Sequence, residues 1–527
     1  MISLASVYHN EIPSFLNPYL KSPSLERLKN VDMNCGMSFT SFPRFSCVQP
    51  YSRFHHSLGT ALIVWHFTQS REQTLAALFH DISTPAFSHV IDFLHGDHMS
   101  QESTENKTEE FILKDPLIMA QLEKDGIGVK AVSDYHMYPI ADNDSPRLSA
   151  DRLEYTCGNI ISYEFGSEDD LKRLYGDLRV GVNEEGIEEL VFTHQEYAAE
   201  FAQLALKCGK IYSCDEDRYG MEYLARLIQE GIRLGILSEE DLYTGDQEVM
   251  ARIDHSPLKK KTDFCRQLFM TKRTDASDPE GFIIYTKKRY IDPLGPHARA
   301  SAADHSFRQA KEAFLALDYG YRLKGVSMSE TKTIVVASSN EGKIREFRQM
   351  LEPRGYMVKS LADFPDMPEI DETGTTFSEH AVIKAKAVTD RYGITAVSDD
   401  SGLEIDAFNK KPGVMSARWL GHDTPYSEKN RIILEKMQGI ENRTCRYVCA
   451  IAITRPDEEP VVFEETVECT IAYEPSGENG FGYDPIIYYP PFGKTMADMD
   501  KDEKNSISHR GKAVRLMEAW LEENGNA

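Results

Sequence analysis

Histidines and aspartates recur at three places in the first part of the chain, and both residue types are ligands for divalent metal ions. The chain contains Arg53-Phe-His-His-Ser-Leu-Gly59, then Leu78-Phe-His-Asp81, and later Asp151-Arg-Leu-Glu-Tyr155. A divalent ion held there would polarise a phosphoryl oxygen and acidify a bound water. A His-Asp dipeptide alone is common, so the expectation depends on the whole ordered set. The candidate ligands are His56, His80, Asp81 and Asp151.

A polar turn in the second part of the chain is suited to bind phosphate. The apolar run at 333–337 (TIVVA) predicts a buried strand, and Ile344, Phe347 and Leu351 mark one face of the helix that follows. A junction of this kind offers free backbone N–H groups and the positive end of a helix dipole. Alone, an ordinary capped helix start would explain the turn. The candidate ligands are Ser338, Ser339, Asn340, Glu341, Gly342 and Lys343.

Two acidic clusters could bind Mg²⁺, which prefers a few hard oxygen ligands together with the phosphates of a substrate. Asp371 and Glu372 precede a predicted helix. The second cluster, at 399–402 (DDSG), is predicted to form a tight turn between strands at 395–397 and 403–408. Helix capping and a plain turn are the alternatives. In so acidic a protein, the two clusters alone decide little.

Two further segments could contact a nucleotide. The segment 477–484 (GENGFGYD) places an aromatic ring between glycines, where a base could stack on it. The segment 504–512 (KNSISHRGK) places Lys, His and Arg at the start of a predicted helix. A glycine-rich turn and a solvated basic helix start are the alternatives. The candidates are Phe481, Gly482, Tyr483, Asp484, Lys504, His509 and Arg510.

The order of these motifs is more specific than any one of them. Ser-x-Asn-x-x-Lys, Glu-Thr-Gly-x-Thr-Phe, Asp-Asp-Ser-Gly-Leu, Pro-Gly-Val-x-Ser-Ala-Arg, Gly-Phe-Gly-Tyr-Asp-Pro and Ser-x-Ser-His-Arg-Gly follow one another between Ser338 and Gly511. This set resembles the inosine/xanthosine triphosphate pyrophosphatases, also called XTP/dITP diphosphatases. The resemblance implies hydrolysis of ITP, dITP and XTP to the monophosphate and pyrophosphate. It also implies an α/β domain with a mixed central sheet.

The same resemblance assigns roles to the candidate residues. It implies that 338–343 bind the triphosphate, that Asp371 or Glu372 holds Mg²⁺ together with Asp400, and that Asp400 is the general base. Which of the two neighbouring acids reaches the ion stays open. The family is usually dimeric, so a homodimer is expected. The residues implied to contact the nucleotide are Ser401, Phe481, Gly482, Tyr483, Asp484, Lys504, His509 and Arg510.

The ordered motifs of the first part, which include Pro-Ala-Phe-Ser-His89, resemble the HD-domain phosphohydrolases related to deoxynucleoside triphosphate triphosphohydrolases. The resemblance implies an all-α domain that binds Mn²⁺, Fe²⁺, Zn²⁺ or Mg²⁺. Two departures concern the chemistry. The segment 83–86 (STPA) stands where relatives carry Gly-His-Gly-Pro, and Gln101 precedes Glu102 where relatives carry a histidine. The domain is therefore either a second phosphohydrolase or a nucleotide-sensing or oligomerising module. The implied metal ligands are His56, His80, Asp81 and Asp151.

Composition limits the classes of protein that can position these residues. The chain has 41% hydrophobic and 27% charged residues, which is typical of a soluble globular protein. Its 59 basic residues against 84 acidic ones give a net charge of -25, which disfavours nucleic acid polymers and anionic membranes as partners. No apolar run predicts a membrane span or signal peptide. The scattered cysteines fit reduced thiols, so a cytoplasmic location is expected.

The 527 residues exceed what one core holds, since single cores stop growing near ~250–300 residues. Helical spacing dominates from Leu58 to Leu323, with short strands predicted at 281–285 and 289–291. We therefore predict an HD-type domain at 1–325, a linker at 326–332 and the α/β domain at 333–527. The predicted fold is an all-α HD-type fold followed by an α/β fold.

Overall fold

A computed structural model describes residues 4–46, 51–95, 107–275, 277–368, 370–421, 424–480, 482–500, 503–504 and 507–524. The chain divides into two compact units, Met1–Glu330 and Thr331–Ala527. The division falls inside the segment that the sequence predicts as a linker. Among the described residues, no helix is both long enough and apolar enough to cross a membrane.

Helices form most of the first unit, and many begin at a side chain that accepts a hydrogen bond from the first turn. Ser70 caps α5 in this way, and Ser149 caps α9. The helices are α1 (Ala5–Tyr8), α2 (Pro23–Arg27), α3 (Pro43–Ser46), α4 (Arg53–Thr68), α5 (Arg71–Phe79), α6 (Val90–His95), α7 (Thr108–Lys114), α8 (Pro116–Asp125), α9 (Ala150–Ser162), α10 (Glu168–Gly176), α11 (Gln195–Ile211), α12 (Asp215–Arg233), α13 (Asp246–Asp254), α14 (Lys259–Gln267), α15 (Ala300–Ala303) and α16 (His305–Leu315).

The first unit also contains two small antiparallel sheets, so the prediction of an all-α fold is wrong in this respect. One pairs β1 with β2, and the other has the order β3-β5-β4. The strand predicted at 281–285 is present as the short β4. The strand predicted at 289–291 is wrong, because the carbonyl oxygen of Arg289 packs against Gly209 of α11 instead of against another strand. The strands are β1 (Leu178–Val182), β2 (Glu188–Phe192), β3 (Leu268–Thr274), β4 (Phe282–Ile283) and β5 (Arg322–Ser327).

The second unit is built on a mixed sheet with the order β13-β12-β11-β10-β8-β6-β7, and β9 pairs with β8. Strand β6 runs parallel to β7 and β8, whereas the other pairs are antiparallel. The predicted α/β fold with a mixed sheet is confirmed. The elements are β6 (Lys332–Val336), α17 (Glu341–Leu351), β7 (Tyr356–Ser360), α18 (Phe377–Tyr392), β8 (Ala396–Ile405), β9 (Lys411–Pro412), α19 (Tyr426–Lys436), β10 (Thr444–Thr454), β11 (Val461–Ile471), β12 (Ile487–Tyr489), β13 (Lys494–Thr495) and α20 (His509–Asn524).

Helices cover both faces of this sheet, and the alternation of side chains along β8 and β10 divides the core between them. On one face, α18 packs against a cluster that includes Val335, Ala396 and Ala450. On the other face, α17 and α20 pack against a cluster that includes Val397 and Ile451. Neighbouring residues of one strand therefore belong to different faces.

Strand β8 is continuous, so the tight turn predicted at 399–402 is wrong. It pairs with β10 from Ala396 to Ile405 without a break. The glycine that suggested a turn serves close packing instead, because a Cβ on Gly402 would lie 2.5 Å from Ser416 Oγ. Since strand residues alternate, Asp399 and Asp400 point to opposite faces of the sheet.

Candidate functional site

Three elements of the first unit bring two histidines and an aspartate together. His56 lies in α4, His80 follows the last residue of α5, and Asp151 lies in the first turn of α9. Asp151 Oδ1 is 3.0 Å from His56 Nε2 and 3.5 Å from His80 Nε2, and the two Nε2 atoms are 3.2 Å apart. These ligand atoms all lie within 4.8 Å of one another, which is close enough for one metal ion.

The other nitrogen of each imidazole is anchored. His80 Nδ1 lies 2.7 Å from the carbonyl oxygen of Ala77, and His56 Nδ1 lies 2.6 Å from Glu154 Oε2. Because a carbonyl only accepts hydrogen bonds, His80 Nδ1 carries a proton, and in the neutral ring Nε2 presents its lone pair to the cluster. Metal-binding histidines have this arrangement. Glu154 is not among the predicted ligands, although its three-residue spacing from Asp151 places both side chains on one helix face.

Asp81, the fourth predicted ligand, lies beside the other three but has its own partners. Its Oδ2 is 3.8 Å from His56 Nε2 and 3.6 Å from His80 Nε2. The same oxygen accepts a hydrogen bond of 2.9 Å from Arg53, and Oδ1 accepts one of 2.7 Å from Thr84. Burial alone would raise the pKa of Asp81, but Arg53 and the two histidines lower it below its usual range.

The cluster is arranged to hold positive charge. Burial alone would lower the pKa of His56, but its hydrogen bonds to Asp151 and Glu154 outweigh burial and raise that pKa to about 10. Burial would also lower the pKa of His80, but the charge of Asp81 and the hydrogen bond to Asp151 raise it. Buried carboxylates that draw protons onto buried imidazoles would equally favour a cation. Of the two departures from the family pattern, 83–86 adjoins the cluster through Thr84, whereas Gln101 and Glu102 lie outside the described residues.

In the second unit, the middle of β8 has a strand neighbour on one side only. On the other side of β8, β6 pairs only with its first two residues and β9 only with its last two. Among the described residues, 398–403 therefore have no strand neighbour on that side. Ligands of open α/β sheets bind beyond the carboxyl ends of the strands, where the strand order reverses. The loop 338–343, which follows β6, lies at this end of the sheet.

Asp400 faces α18 and shares two partners with Glu372. Its carboxylate oxygens lie 3.1 Å from His380 Nδ1 and 3.2 Å from Lys384 Nζ. Glu372 lies 3.9 Å and 3.6 Å from the same two nitrogens, and it accepts a hydrogen bond of 2.8 Å from Arg418. Burial would raise the pKa of Glu372, but Lys384 and Arg418 outweigh it and lower that pKa. Two carboxylates therefore converge on one small region.

Asp371 is more exposed than its neighbour. Its side chain is exposed, whereas the Glu372 side chain is only 19% exposed. The sequence leaves the choice between the two acids open. His380 and Lys384 are not among the predicted site residues, although their spacing of four residues places them on one face of the predicted helix.

Asp399 faces the opposite side of the sheet and pairs with two of the predicted phosphate ligands. Its Oδ2 is 3.0 Å from Lys343 Nζ and 3.2 Å from Arg510 Nη2. Burial would raise the pKa of Asp399, but Lys343 and Arg510 lower it to about 2. Arg510 also donates to Ser401 Oγ at 3.3 Å. These side chains bring three predicted motifs together.

The loop 338–343 is ordered by its own side chains. Asn340 caps α17 by accepting a hydrogen bond of 3.2 Å from the Lys343 N–H, and Ser338 Oγ accepts one of 3.1 Å from the Asn340 N–H. Ser339 and Glu341 are exposed. The capped helix start that the sequence suggested as an alternative is therefore present. It is compatible with phosphate binding, because the start of α17 still carries the positive end of the helix dipole.

An aromatic platform lies near the cations. The rings of His509 and Tyr447 are stacked, with centroids 5.1 Å apart and planes 14° apart. Tyr447 donates a hydrogen bond of 3.1 Å to Asp484, which also contacts Lys504 at 2.6 Å. Burial, with help from Arg510, lowers the pKa of His509 to about 3. The imidazole is therefore neutral at physiological pH.

The glycine-rich segment beside this platform is held by distant residues. Tyr483 donates a hydrogen bond of 2.7 Å to the carbonyl oxygen of Ser416, and Asn430 donates one of 3.1 Å to that of Gly482. Gly480 has a positive φ of 81°, and a Cβ there would lie 2.3 Å from Asp484 Oδ2. Phe481, predicted to stack on a base, lies outside the described residues.

Carboxylates and cations thus lie together on both sides of β8, and the stacked rings of His509 and Tyr447 adjoin Arg510. The profile of the Ham1 family matches residues 334–520. A protein of an Exiguobacterium species named dITP/XTP pyrophosphatase is 47% identical over 188 residues, which are 36% of this chain and 96% of the relative. Through its second unit, the chain belongs to the Ham1 family.

Two further proteins are similar to the second unit. The protein named dITP/XTP pyrophosphatase of Bacillus subtilis is 46% identical over 193 residues, which are 36% of this chain and 98% of that protein. The solved structure of the Staphylococcus aureus Ham1 protein is 40% identical, covers 37% of this chain and 100% of its own, and has a TM-score of 0.36. Both matches thus span nearly the whole length of the relatives.

Proposed function

We propose that the second unit hydrolyses the non-canonical purine nucleoside triphosphates ITP, dITP and XTP to the monophosphate and pyrophosphate. The proposal rests on the residues at the two faces of β8. Asp400 and Glu372 lie at one face. Asp399, Lys343 and Arg510 lie at the other. Relatives that match the unit over nearly their whole length are named dITP/XTP pyrophosphatases.

The residues present fit a magnesium ion. Glu372 and Asp400 are oxygen donors that already share the ammonium group of Lys384, so the structure places a positive charge between them. We infer that these two carboxylates hold Mg²⁺. When bound, the ion would neutralise phosphate charge and orient the attacking water.

Side chains of the second unit perform the remaining functions of proton transfer, charge stabilisation and base recognition. Asp400 accepts the proton of the water that attacks the α-phosphorus. Lys343 and Lys504 offset the charge of the leaving pyrophosphate. The neutral imidazole of His509 and the guanidinium group of Arg510 are donors suited to a 6-oxo group. The 6-amino group of adenine would present a donor to these donors and leave buried groups unpaired, so adenine nucleotides are disfavoured.

The removal of the general base tests this proposal. In Asp400→Asn we expect kcat for pyrophosphate release from dITP with Mg²⁺ to fall by at least about 100-fold. The control is Asp390→Asn, which removes a carboxylate that is 59% exposed and pairs with Lys386 on α18. The control should retain full activity. Undiminished turnover in Asp400→Asn would show that another group is the base.

We also propose that the first unit binds a divalent metal ion and is a phosphohydrolase. The observation that carries this proposal is the pair of imidazoles with anchored Nδ1 atoms and converging Nε2 atoms. The alternative, a nucleotide-sensing or oligomerising module without its own catalysis, is favoured by the changed segment 83–86. Both alternatives require the cluster of metal ligands, whereas only the phosphohydrolase requires catalytic turnover.

Metal content and turnover separate these alternatives. The Asp400→Asn variant should bind about one equivalent of a transition metal more than the double variant Asp400→Asn with His80→Ala, because His80 supplies a ligand. The exposed His255→Ala is the control. Phosphate or triphosphate release from deoxynucleotides that disappears with His80→Ala supports the hydrolase. Metal retention without any release supports the sensing module, and equal metal content in all variants contradicts the site.

A further inference from the structure

Glu154 of α9 is a buried carboxylate whose hydrogen bonds, among the described contacts, converge on one of its oxygens. The side chain is 1% exposed. Tyr51 donates its phenol O–H to Glu154 Oε2, and the same oxygen lies 2.6 Å from His56 Nδ1. A carboxylate this deeply buried costs free energy unless hydrogen bonds replace the water that it has lost. The two donors supply those bonds and fix the orientation of the carboxylate.

Two glycines make room for this carboxylate and its tyrosine partner where α4 packs against α9. A Cβ on Gly59 of α4 would lie 2.7 Å from Glu154 Cγ and 2.8 Å from Glu154 Cδ. A Cβ on Gly158 of α9 would lie 2.7 Å from Cε1 of the Tyr51 ring. A larger residue at either position would displace the pair. His56 and Gly59 lie three residues apart on one face of α4, so the first contacts the carboxylate and the second admits it.

The two imidazoles of the cluster differ in what holds them. His80 Nδ1 donates to the neutral carbonyl group of Ala77, whereas His56 Nδ1 faces the Glu154 carboxylate. Because a carboxylate accepts the hydrogen bond from Nδ1–H, Nε2 of His56 keeps its lone pair for the cluster. A carboxylate partner also makes the opposite nitrogen of the ring a stronger donor to a metal ion. His56 is therefore the stronger of the two nitrogen ligands.

We propose that Glu154 is a positioning residue for the metal site of the first unit, and that Gly59 is the residue whose missing Cβ admits it. The inference rests on the proposed metal site and extends it to residues that supply no ligand. Glu154 fixes the ring of His56 and strengthens its Nε2 as a donor, while Tyr51 fixes the carboxylate. The loss of Glu154 should therefore weaken metal binding although every ligand remains.

The affinity for Co²⁺ tests the role of the carboxylate. Glu154→Gln keeps the shape of the side chain and removes its charge. In the full chain with Asp400→Asn, it should lower the Co²⁺ affinity of the cluster by about 10–100-fold, the effect of losing a partner of a metal-bound histidine. Tyr51→Phe keeps the ring against Gly158 and removes only the O–H, so the affinity should fall by about threefold. Titrations followed by the visible absorption of bound Co²⁺ give both values, and the binding that His80→Ala abolishes identifies the cluster.

The matched control is Glu123→Gln, which removes an exposed carboxylate from α8. It should leave the Co²⁺ affinity within about twofold of that of the Asp400→Asn chain. Thermal melting without metal shows which variants are folded. Unchanged affinity in a folded Glu154→Gln or Tyr51→Phe variant would overturn the inference alone. If His80→Ala abolished no Co²⁺ binding, the proposed metal site would be contradicted as well.

Thermal stability tests the part assigned to Gly59. Gly59→Ala should lower the melting temperature of the first unit by about 2–6 °C, because the new Cβ collides with Glu154. Glu154→Ala removes the colliding atoms, so Gly59→Ala should cost clearly less in that background, as a double-mutant cycle measures. Gly128→Ala is the control, since nothing lies within 4 Å of its added Cβ. Equal shifts from Gly59→Ala in both backgrounds would show that Gly59 does not serve Glu154.

Discussion

Adjacent acids in the second unit have different partners because of backbone geometry. In the two acidic clusters, the local sequence offers Asp371 beside Glu372 and Asp399 beside Asp400 with no difference in chemistry. The structure separates Asp399 from Asp400 by strand alternation and Glu372 from Asp371 by burial. The residue types of the site could be predicted from the sequence. Their assignment to one side or the other could not, because Lys343, His380 and Arg510 come from three separate helices.

The choice between the neighbouring acids can be measured. Glu372→Gln should raise the Mg²⁺ concentration for half-maximal dITP hydrolysis by about tenfold or more, since it removes one of two charged oxygen ligands. Asp371→Asn, at an exposed carboxylate, should change it by less than about threefold. Initial rates across a Mg²⁺ titration give both values. A larger effect in Asp371→Asn would assign the ligand to Asp371.

At the scale of helices and strands, the periodicity of apolar residues predicted the elements whose pairing and burial depend on residues nearby in the sequence. The apolar run at 333–337 corresponds to β6, and the helix predicted to follow Asp371 and Glu372 corresponds to α18. The turn predicted at 399–402 failed because the hydrogen bonds of β8 come from β10, whose residues lie far along the chain. A polar stretch with a glycine looks like a turn until its distant strand partner is known.

Gly402 provides a test of this interpretation. A Cβ there would lie 2.5 Å from Ser416 Oγ and 2.7 Å from the carbonyl oxygen of Gly413, so backbone must move. Gly402→Ala should destabilise the second unit by about 1–3 kcal/mol, measured by thermal or urea unfolding. Gly176→Ala is the control, because nothing lies within 4 Å of the added Cβ and the residue ends a helix. The control should be neutral or slightly stabilising. Equal stability of both variants would contradict the packing role.

At the scale of the whole molecule, each buried hydrophobic cluster in the described part of the chain consists of residues of one unit. The clusters of the first unit draw on residues between Leu4 and Leu323, and those of the second on residues between Ile334 and Leu521. About a third of this chain covers 95–100% of the length of relatives named dITP/XTP pyrophosphatase. The homodimer and the cytoplasmic location stay predictions.

Because its buried clusters are its own, the second unit is a candidate for independent folding. Its activity in the absence of the first unit distinguishes the two interpretations of the first unit. If the first unit is an independent enzyme, residues 331–527 expressed alone should unfold cooperatively and hydrolyse dITP with kcat/KM within about threefold of the full chain. The Asp400→Asn variant of this fragment is the control for contaminating hydrolases. A folded fragment whose kcat/KM differs by more than about tenfold would instead support a regulatory first unit. Because the fragment lacks His56, His80 and Asp151, its rate should also be insensitive to transition metals that bind at that cluster.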